Sequence, residues 1–274
     1  MSANACPATQ AGLAFDTLAE DYDAHFTRSS IGRAQRDAVW RKAIEVFRNR
    51  RSILELNCGT GEDALFLAGR GHRVVALDAS RAMIDRASMR KETEAPTASV
   101  EFRFLPTEYL NTLPPTHFDG VFSNFSGLNC VDDLSEVAMQ LARRTSPGAQ
   151  ALICFSTRFC LWENTWYLLC GKPRKAFRRW SGHSTAVLNG VSANVHYPTV
   201  RKIARAFAPH FSLSSATGIG IYVPPSYLES WMQRSPRLLA MLAALDRIVC
   251  HLPLLRTLGD HVLLHFERTS EDAA

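Results

Sequence analysis

Short apolar runs and amphipathic segments alternate through the middle of the chain. Five runs predict buried strands: SILELN, HRVVALD, VEFRFL, FDGVFSNF and AQALICFST. Between them, segments such as EDALFLAGRG and SRAMIDRASMRKE carry apolar positions at helical spacing. Strands that alternate with helices of this length predict βαβ units, and therefore a parallel sheet covered by helices on both faces.

The pattern extends beyond this central part. Residues 15–47 are predicted to be helical with a break near Ser29, while YPTVRKIARAFAPHF predicts a later helix. FSLSSATGIGIYV and DHVLLHFER predict a sixth and a seventh strand. Two stretches that interrupt the alternation are interpreted as helical caps. The sequence thus predicts an α/β fold with a doubly wound, mostly parallel seven-stranded sheet and cap insertions after strands five and six.

This interpretation divides the chain into a core and its insertions. The predicted parts are a flexible tail at 1–14, a core with N-terminal lid helices at 15–157, a cap insertion at 158–195, more core at 196–223, a second cap insertion at 224–259, and the last strand with a tail at 260–274. Because loops and insertions after parallel strands lie above the carboxyl edge of a sheet, both caps are expected over the site.

Composition favours an ordinary globular protein. Of 274 residues 46% are hydrophobic, and the formal net charge is +5. Only KPRKAFRR concentrates positive charge and the rest is interpreted as evenly mixed, so we expect no nucleic-acid partner. The seven cysteines form no C-x-x-C pair, and neither a signal peptide nor an apolar run long enough to span a bilayer is visible. A cytoplasmic location is expected.

The segment ELNCGTGED carries the most information about chemistry. Gly59 and Gly61 lie where a strand passes into a helix, whose positive end favours an anionic group. Asp78 ends the second strand, where an acid can accept hydrogen bonds from a ribose diol. The same spacing fits a nicotinamide dinucleotide site. A glycine turn without a ligand, and a helix-capping role for Asp78, are further alternatives.

A resemblance adds to this pattern. The segments ILELNCGTGEDALFLAGRGHRVVALDASRAMIDRA and FDGVFSNFSGLNCVDDLSEVAMQLARRTSPGAQALICF resemble the small-molecule branch of the class I, Rossmann-like methyltransferases that depend on S-adenosyl-L-methionine (SAM). The likeness covers residues 15–157 well and the insertions hardly at all. It implies transfer of the SAM methyl group to O, N or C of a small molecule, with S-adenosyl-L-homocysteine (SAH) as product. The aromatic, apolar insertions indicate a hydrophobic or amphipathic acceptor.

The resemblance also implies which residues bind the cofactor. The implied set, from the methionine end through ribose and adenine to the lid, is Glu55, Asn57, Gly59, Gly61, Asn124, Phe125, Asp78, Ala79, Met83, Thr107 and Tyr22. Two of these positions depart from the family pattern. Asn57 replaces a small residue in the turn, and Pro106 occupies the place of an acid that meets adenine, which leaves Thr107 or Glu108 for that role.

Methyl transfer needs alignment and exclusion of water more than a catalytic dyad. A general base is needed only where the acceptor must lose a proton, and His196 is the candidate, with a surface or packing histidine as the alternative. No cluster has metal-ligand spacing, so no metal is expected.

The insertions are rich in aromatic residues. Trp162, Trp166, Tyr197 and Tyr222 are the candidate acceptor-binding residues. The aromatic stripe could instead pack the cap onto the core, and the basic run could be a solvated face. Contact with a membrane surface is a less favoured alternative. Two other functions remain open: an NAD(P)-dependent oxidoreductase, or a protein that binds SAM without transferring its methyl group.

Overall fold

A central sheet organises the computed structural model, which describes residues 6–114 and 116–270. The strands are β1 Ser52–Leu56, β2 Arg73–Asp78, β3 Val100–Phe104, β4 Phe118–Ser123, β5 Thr145–Ser156, β6 His183–Leu188, β7 Val191–His196, β8 Phe211–Ile219 and β9 His261–Arg268. Seven of them form one sheet in the order β3-β2-β1-β4-β5-β9-β8. β9 runs in the direction opposite to the other six strands of this sheet. The predicted mostly parallel seven-stranded α/β fold is confirmed.

Helices cover both faces of the sheet. They are α1 Gln10–Asp16, α2 Ser30–Val46, α3 Glu62–Ala68, α4 Arg81–Glu94, α5 Leu134–Ala142, α6 Leu161–Leu169, α7 Pro173–Ala176, α8 Val200–Phe207, α9 Glu229–Gln233 and α10 Pro236–Val249. Several begin where the sequence supplies a cap: the Ser29 and Ser80 hydroxyls accept a backbone N–H of the first turn of α2 and α4. In the described part of the chain, no helix is long and apolar enough to cross a membrane.

The core lies in two layers, one on each face of the sheet. Leu54 and Leu77 point to the layer that contains Phe207 of α8, whereas Ile53 and Val74 point to the layer beneath α2 and α3. Successive strand residues therefore face opposite layers, and both layers are dry. This is why the central strands read as continuous apolar runs instead of alternating ones.

The N-terminal segment is more ordered than the sequence indicates. Residues 1–14 were expected to be a tail, and 1–5 lie outside the described residues, but α1 begins at Gln10. The close approach at Gly12 explains its position, since a Cβ there would lie 2.1 Å from the Ala79 carbonyl oxygen. Asp16 accepts hydrogen bonds from the Ser80 hydroxyl at 2.6 Å and from the Ala82 N–H at 3.0 Å. The helix is thus fixed to the start of α4.

The first insertion contains a β-hairpin as well as helices, which corrects the expectation of a purely helical cap. Strands β6 and β7 pair antiparallel around Asn189 and Gly190, whose φ angles of +45° and +87° suit a tight two-residue turn. The hairpin packs against α1, beside the carboxyl edge of the sheet. The first insertion therefore contributes to the lid region as well as to a cap.

Buried ion pairs attach the insertion to the core. Glu163 of α6 is 1% exposed and meets Arg178 at 2.6 Å and Arg179 at 2.7 Å. Arg179 also pairs with Asp260, which lies immediately before β9, at 2.9 Å. The second insertion is attached differently, by packing of α10 against α2 and β8.

A substitution at Gly61 tests how tightly the turn beneath the cofactor region is packed. Its φ is +79°, and a Cβ would lie 2.7 Å from Phe102 Cζ and 2.9 Å from Ala87 Cβ. Gly61→Ala is expected to lower the unfolding free energy by about 2–5 kcal/mol, because backbone strain and overpacking add. Gly71→Ala is the control: φ is +90° there but no atom lies within 4 Å, so about 1–2 kcal/mol is expected. Urea unfolding measures both, and equal losses would rule out the packing contribution.

Candidate functional site

A narrow cavity lies at the carboxyl ends of β1, β2 and β4, with a volume of about 70 Å³. Its lining residues are Ala11, Gly12, Phe15, Tyr22, Asn57, Gly59, Asp78, Ala79, Met83, Asn124, Phe125, Gly127 and Cys130. Eight of the eleven cofactor-binding residues predicted from the sequence are among them. The cavity is smaller than the roughly 300 Å³ at which ligand pockets begin, because α1 and Tyr22 fold over it. The N-terminal lid therefore lies closed over the cavity in this structure.

The turn after β1 takes its shape from Asn57. Its φ is +56°, in the left-handed region that asparagine tolerates better than most residues. The Asn57 side chain packs where a Cβ on Gly127 would lie, 2.2 Å from its own Cβ. The departure from a small residue at position 57 therefore has a structural explanation, since Asn57 packs closely against the loop after β4.

Asp78 joins this turn to the end of β2. Its carboxylate accepts a hydrogen bond from the Gly59 N–H at 2.8 Å and another from the Ser80 N–H at 2.8 Å. Ser80, and not Asp78, caps α4. Burial raises the pKa of Asp78 to about 6, against the opposing effect of these backbone hydrogen bonds. The carboxyl group thus borders the cavity in a dry setting where a further donor would stabilise its ionised form.

The remaining three predicted residues lie outside the lining. The Glu55 side chain is 1% exposed, and no hydrogen-bond partner for its Oε2 is found among the described residues. Burial, with Asp63 nearby, raises the pKa of Glu55. Thr107 donates to Asn57 Oδ1 at 3.4 Å, and Gly61 is enclosed by Phe102 and Ala87. Thr107 and Gly61 thus support the turn, whereas Glu55 offers an unused acceptor atom.

A buried carboxylate that the sequence analysis did not single out ties the site to α2. Asp63 accepts hydrogen bonds from the Trp40 indole at 2.6 Å and from the Asn124 amide at 3.1 Å, and it pairs with Arg36 at 3.3 Å. Its position in the first turn of α3 is favourable for a negative charge. Asp63 therefore orients Asn124, one of the cavity-lining residues.

Arg36 is the second residue that the sequence analysis missed. It is 5% exposed, and in the described structure its Nε and Nη1 have no aligned hydrogen-bond acceptor. Its guanidinium lies 5.1 Å from the Phe125 ring centroid and 5.8 Å from that of Phe26. The available signal was a charged residue on the inward stripe of an amphipathic helix. A buried cation next to the cavity, with Nε paired to Asp63 and Nη1 without a hydrogen-bond partner in the described structure, can hold an anionic group.

The lid is held down by a buried charge. Asp23, in the π-helical turn Asp23–Thr27, accepts a hydrogen bond from Thr60 at 2.6 Å and pairs with Arg90. Burial opposes ionisation of Asp23, but these partners outweigh it and lower its pKa. Burial also raises the pKa of the neighbouring Tyr22 to about 12, so its phenol stays neutral. Lid and glycine turn are therefore coupled through Thr60.

The predicted general base lies away from the cavity. His196, at the end of β7, turns towards the surface and meets Asp132 at 2.8 Å. It is absent from the cavity lining. A different histidine, His261 at the start of β9, is buried with its ring 5.5 Å from that of Phe125. Burial lowers the pKa of His261, so its imidazole is neutral at neutral pH.

The four predicted acceptor-binding residues lie within the cap packing. The Trp162 indole donates to the Tyr222 carbonyl at 2.9 Å, and Trp166 meets Trp231 with ring centroids 5.8 Å apart. Tyr197 is buried beneath the Arg179 guanidinium at 5.4 Å. None of the four lines the cavity.

Polar groups in and near the cavity match those of SAM. Asp78, in the lining, suits the ribose diol. Glu55 Oε2 and Arg36 Nη1, which lie outside the lining, suit an ammonium group and a carboxylate. Among residues 6–114 and 116–270, no group of His, Cys, Asp and Glu side chains could hold a metal ion. The thiol of Cys130 in the lining is protonated, because burial raises its pKa to about 11.

Comparison with known proteins agrees with this geometry. Residues 53–148 match the family described as methyltransferase domain. The uncharacterized methyltransferase Rv0089 of Mycobacterium tuberculosis is 28% identical over 162 residues, 57% of this chain and 77% of that protein. Demethylmenaquinone methyltransferase of Mycolicibacterium vanbaalenii is 33% identical over 147 residues, 52% of this chain and 59% of the relative. A shorter match of 28% over 92 residues, 32% of this chain and 35% of the relative, is to the tRNA 5-carboxymethoxyuridine methyltransferase of Escherichia coli.

Solved structures share the fold. The N-methyltransferase NodS from Bradyrhizobium japonicum, in complex with SAH, superposes with a TM-score of 0.59 at 13% identity, over 96% of this chain and all of the NodS chain. The family match and this fold agree with one another. Residues 53–148 match a methyltransferase domain, and the described chain has the fold of solved SAM-dependent methyltransferases.

Proposed function

We propose that the chain methylates an O, N or C atom of a small hydrophobic or amphipathic molecule. The observation that carries this proposal is an aromatic wall beside the cavity, where the ring of Phe125, in the lining, meets that of Phe26 edge to face at 4.7 Å. Such a wall favours an apolar acceptor over a nucleotide, which would need polar groups for its base edges and phosphates. The likeness to demethylmenaquinone methyltransferase supports the same choice.

Three charged residues are proposed to hold the cofactor. Asp78 accepts the ribose hydroxyls, Glu55 accepts the ammonium group, and Arg36 donates to the carboxylate. The support is electrostatic, because each is buried and Glu55 and Arg36 have atoms with no hydrogen-bond partner. A ligand that supplies those partners removes the cost of burying them.

The lid and the phenylalanine pair are proposed to exclude water from the reaction. SAM supplies a methyl group on a positively charged sulfur, which is displaced in line by the acceptor. The chain's part is to hold the acceptor in line and to keep the site dry. Tyr22 and Phe15 cover the cavity from the N-terminal side, and Asn124 with Phe125 covers it from β4.

We propose His261 as the group that takes the acceptor's proton. It begins β9 at the carboxyl edge of the sheet, and its Nδ1 has no hydrogen-bond partner within the described residues. Asp260 and Arg179, which pair at 2.9 Å, fix its surroundings. A buried neutral imidazole next to the aromatic wall is better suited to this role than His196, which pairs with an exposed carboxylate.

The affinity for SAM should depend on pH through Asp78. Because ribose hydroxyls donate to the ionised carboxylate, and the pKa of Asp78 in the free protein is about 6, binding at lower pH must release a proton. The dissociation constant is therefore expected to rise about tenfold per pH unit below 6 and to stay constant above 7. Calorimetry from pH 5 to 8 measures it.

Asp78→Asn should bind SAM more weakly at neutral pH and lose this pH dependence. Asp85→Asn, an exposed carboxylate on α4, is the control and should behave as the wild type. A pH dependence retained in Asp78→Asn would assign the proton to another group and would contradict the proposed contact of Asp78 with the ribose.

The acceptor class is tested with SAM labelled on its methyl group. The purified protein is incubated with demethylmenaquinol, with an organic-solvent extract of cells, and with total tRNA. Label in the first or second sample supports a small apolar acceptor, whereas label in tRNA alone contradicts it. Tight SAM binding without transfer to any sample favours a SAM-binding protein that transfers no methyl group.

His261 and His196 make a matched pair for the proton-transfer role. His261→Gln is expected to lower kcat at least about a hundredfold and to remove the acidic limb of the pH–rate profile, because a neutral imidazole must accept the proton. His196→Gln should leave both unchanged. Rates are measured with whichever acceptor is labelled first, and SAM affinity serves as the check on folding. A loss of kcat in His196→Gln but not in His261→Gln would make His196 the general base.

A further inference from the structure

Helix α10 is apolar on its solvent side as well as on its buried side. Leu239, Asp246 and Cys250 face inward, while Leu238, Met241, Leu245 and Ile248 face solvent. The four outward side chains are between 38% and 73% exposed, and their spacing of three, four and three residues places them in one stripe, here named the α10 ridge. A helix that is apolar all round normally lies in a protein core or in lipid.

The ridge continues into neighbouring parts of the insertions. Trp231 of α9 is exposed, and its ring meets that of Trp166 on α6 at 5.8 Å. Leu252 and Leu254, just beyond α10, are exposed as well, as is Leu169 at the end of α6. Isolated exposed leucines need no explanation, but a stripe of four apolar side chains on one helix marks an interaction surface.

The part of the sequence that carries this surface is rich in basic residues. Residues 158–257 contain 13 Lys and Arg but only three Asp and Glu, a net charge of +10, whereas the rest of the chain carries −5. The expectation of evenly mixed charge was wrong. All three acids are bound internally: Glu163 to Arg178 and Arg179, Glu229 to the Ser30 and Ile31 N–H groups, and Asp246 to the Tyr222 and Val223 N–H groups.

We infer that the α10 ridge is a docking surface for an anionic lipid bilayer. The ridge offers apolar side chains to the acyl boundary, and Arg237 and Arg247 on the same helix can reach acidic headgroups. A second copy of the chain fits less well, because two segments of charge +10 would face each other. Nucleic acid fits less well, since an apolar ridge offers nothing to phosphates.

Docking agrees with the internal contacts of the three acids in residues 158–257. Each acid forms a contact that holds the cap together, and each Lys or Arg near an anionic membrane contributes about 1 kcal/mol. The basic segment that includes Lys172, Arg174 and Lys175, directly after α6, adds to the same field. The inference does not depend on the proposed acceptor, because lipid binding is measured without methyl transfer.

The test is vesicle flotation of the full chain. Protein is mixed with vesicles of phosphatidylcholine alone or of phosphatidylcholine with phosphatidylglycerol. The wild type should float with the anionic vesicles at least about tenfold more than with the neutral ones, and high salt should reduce the difference. Absence of flotation with anionic vesicles would overturn the inference.

A double variant locates the surface. Met241→Ser with Ile248→Ser replaces two exposed side chains and should lower partitioning at least about tenfold. Met89→Ser is the control, since Met89 is similarly exposed on α4, outside the insertions, and it should float as the wild type does. Unchanged SAM affinity of the double variant shows that it is folded. Unchanged flotation of the folded double variant, or a wild-type dimer that this variant dissociates in light scattering, would reject the lipid surface.

Discussion

The hydrogen bond from the Gly59 N–H to the Asp78 carboxylate extends the pairing of β1 and β2 into the turn that forms the cavity. It holds the turn after β1 against the end of β2 and keeps an acid in a dry place with a pKa near 6. The lid depends on the same two strand ends. Helix α1 rests on Ala79 and Ser80, and the π-helical turn is held by Thr60 and Arg90.

Burying the polar groups around this bond lowers the stability of the protein when no ligand is bound. Glu55, Asp63, Arg36 and Asp78 are all buried, yet Glu55 and Arg36 keep atoms with no hydrogen-bond partner in the described structure. A buried, incompletely paired set destabilises a fold unless a ligand completes it. The ligand that fits carries an ammonium, a carboxylate and a diol together, so the cofactor is expected to stabilise the fold by its binding energy.

The pattern of apolar and polar residues predicted those elements that short stretches of sequence specify by themselves. The strands between Ser52 and Thr157 follow from apolar runs bounded by turns, and most of the cavity lining follows from the strand ends. Helix α1 could not be predicted, because seven residues do not form a helix without tertiary support, here the Asp16 contacts with α4. The β6–β7 hairpin was predictable in principle, since Asn189-Gly190 is a strong turn signal. His196 was chosen because the chain returns to the site there, but the sequence does not show that its side chain points outward.

The insertions separate the chain into two surfaces of different chemistry. The core places buried acids at the cofactor cavity and the lid, whereas the three acids of residues 158–257 form internal contacts. This division follows from the order of elements, since both insertions leave the same side of the sheet, after β5 and β8. An enzyme built this way can bind its polar cofactor from water on one side of the lid while the other side meets an apolar phase. Selection on the insertions can therefore change the acceptor without disturbing the Gly59–Asp78 hydrogen bond on which the cofactor site depends.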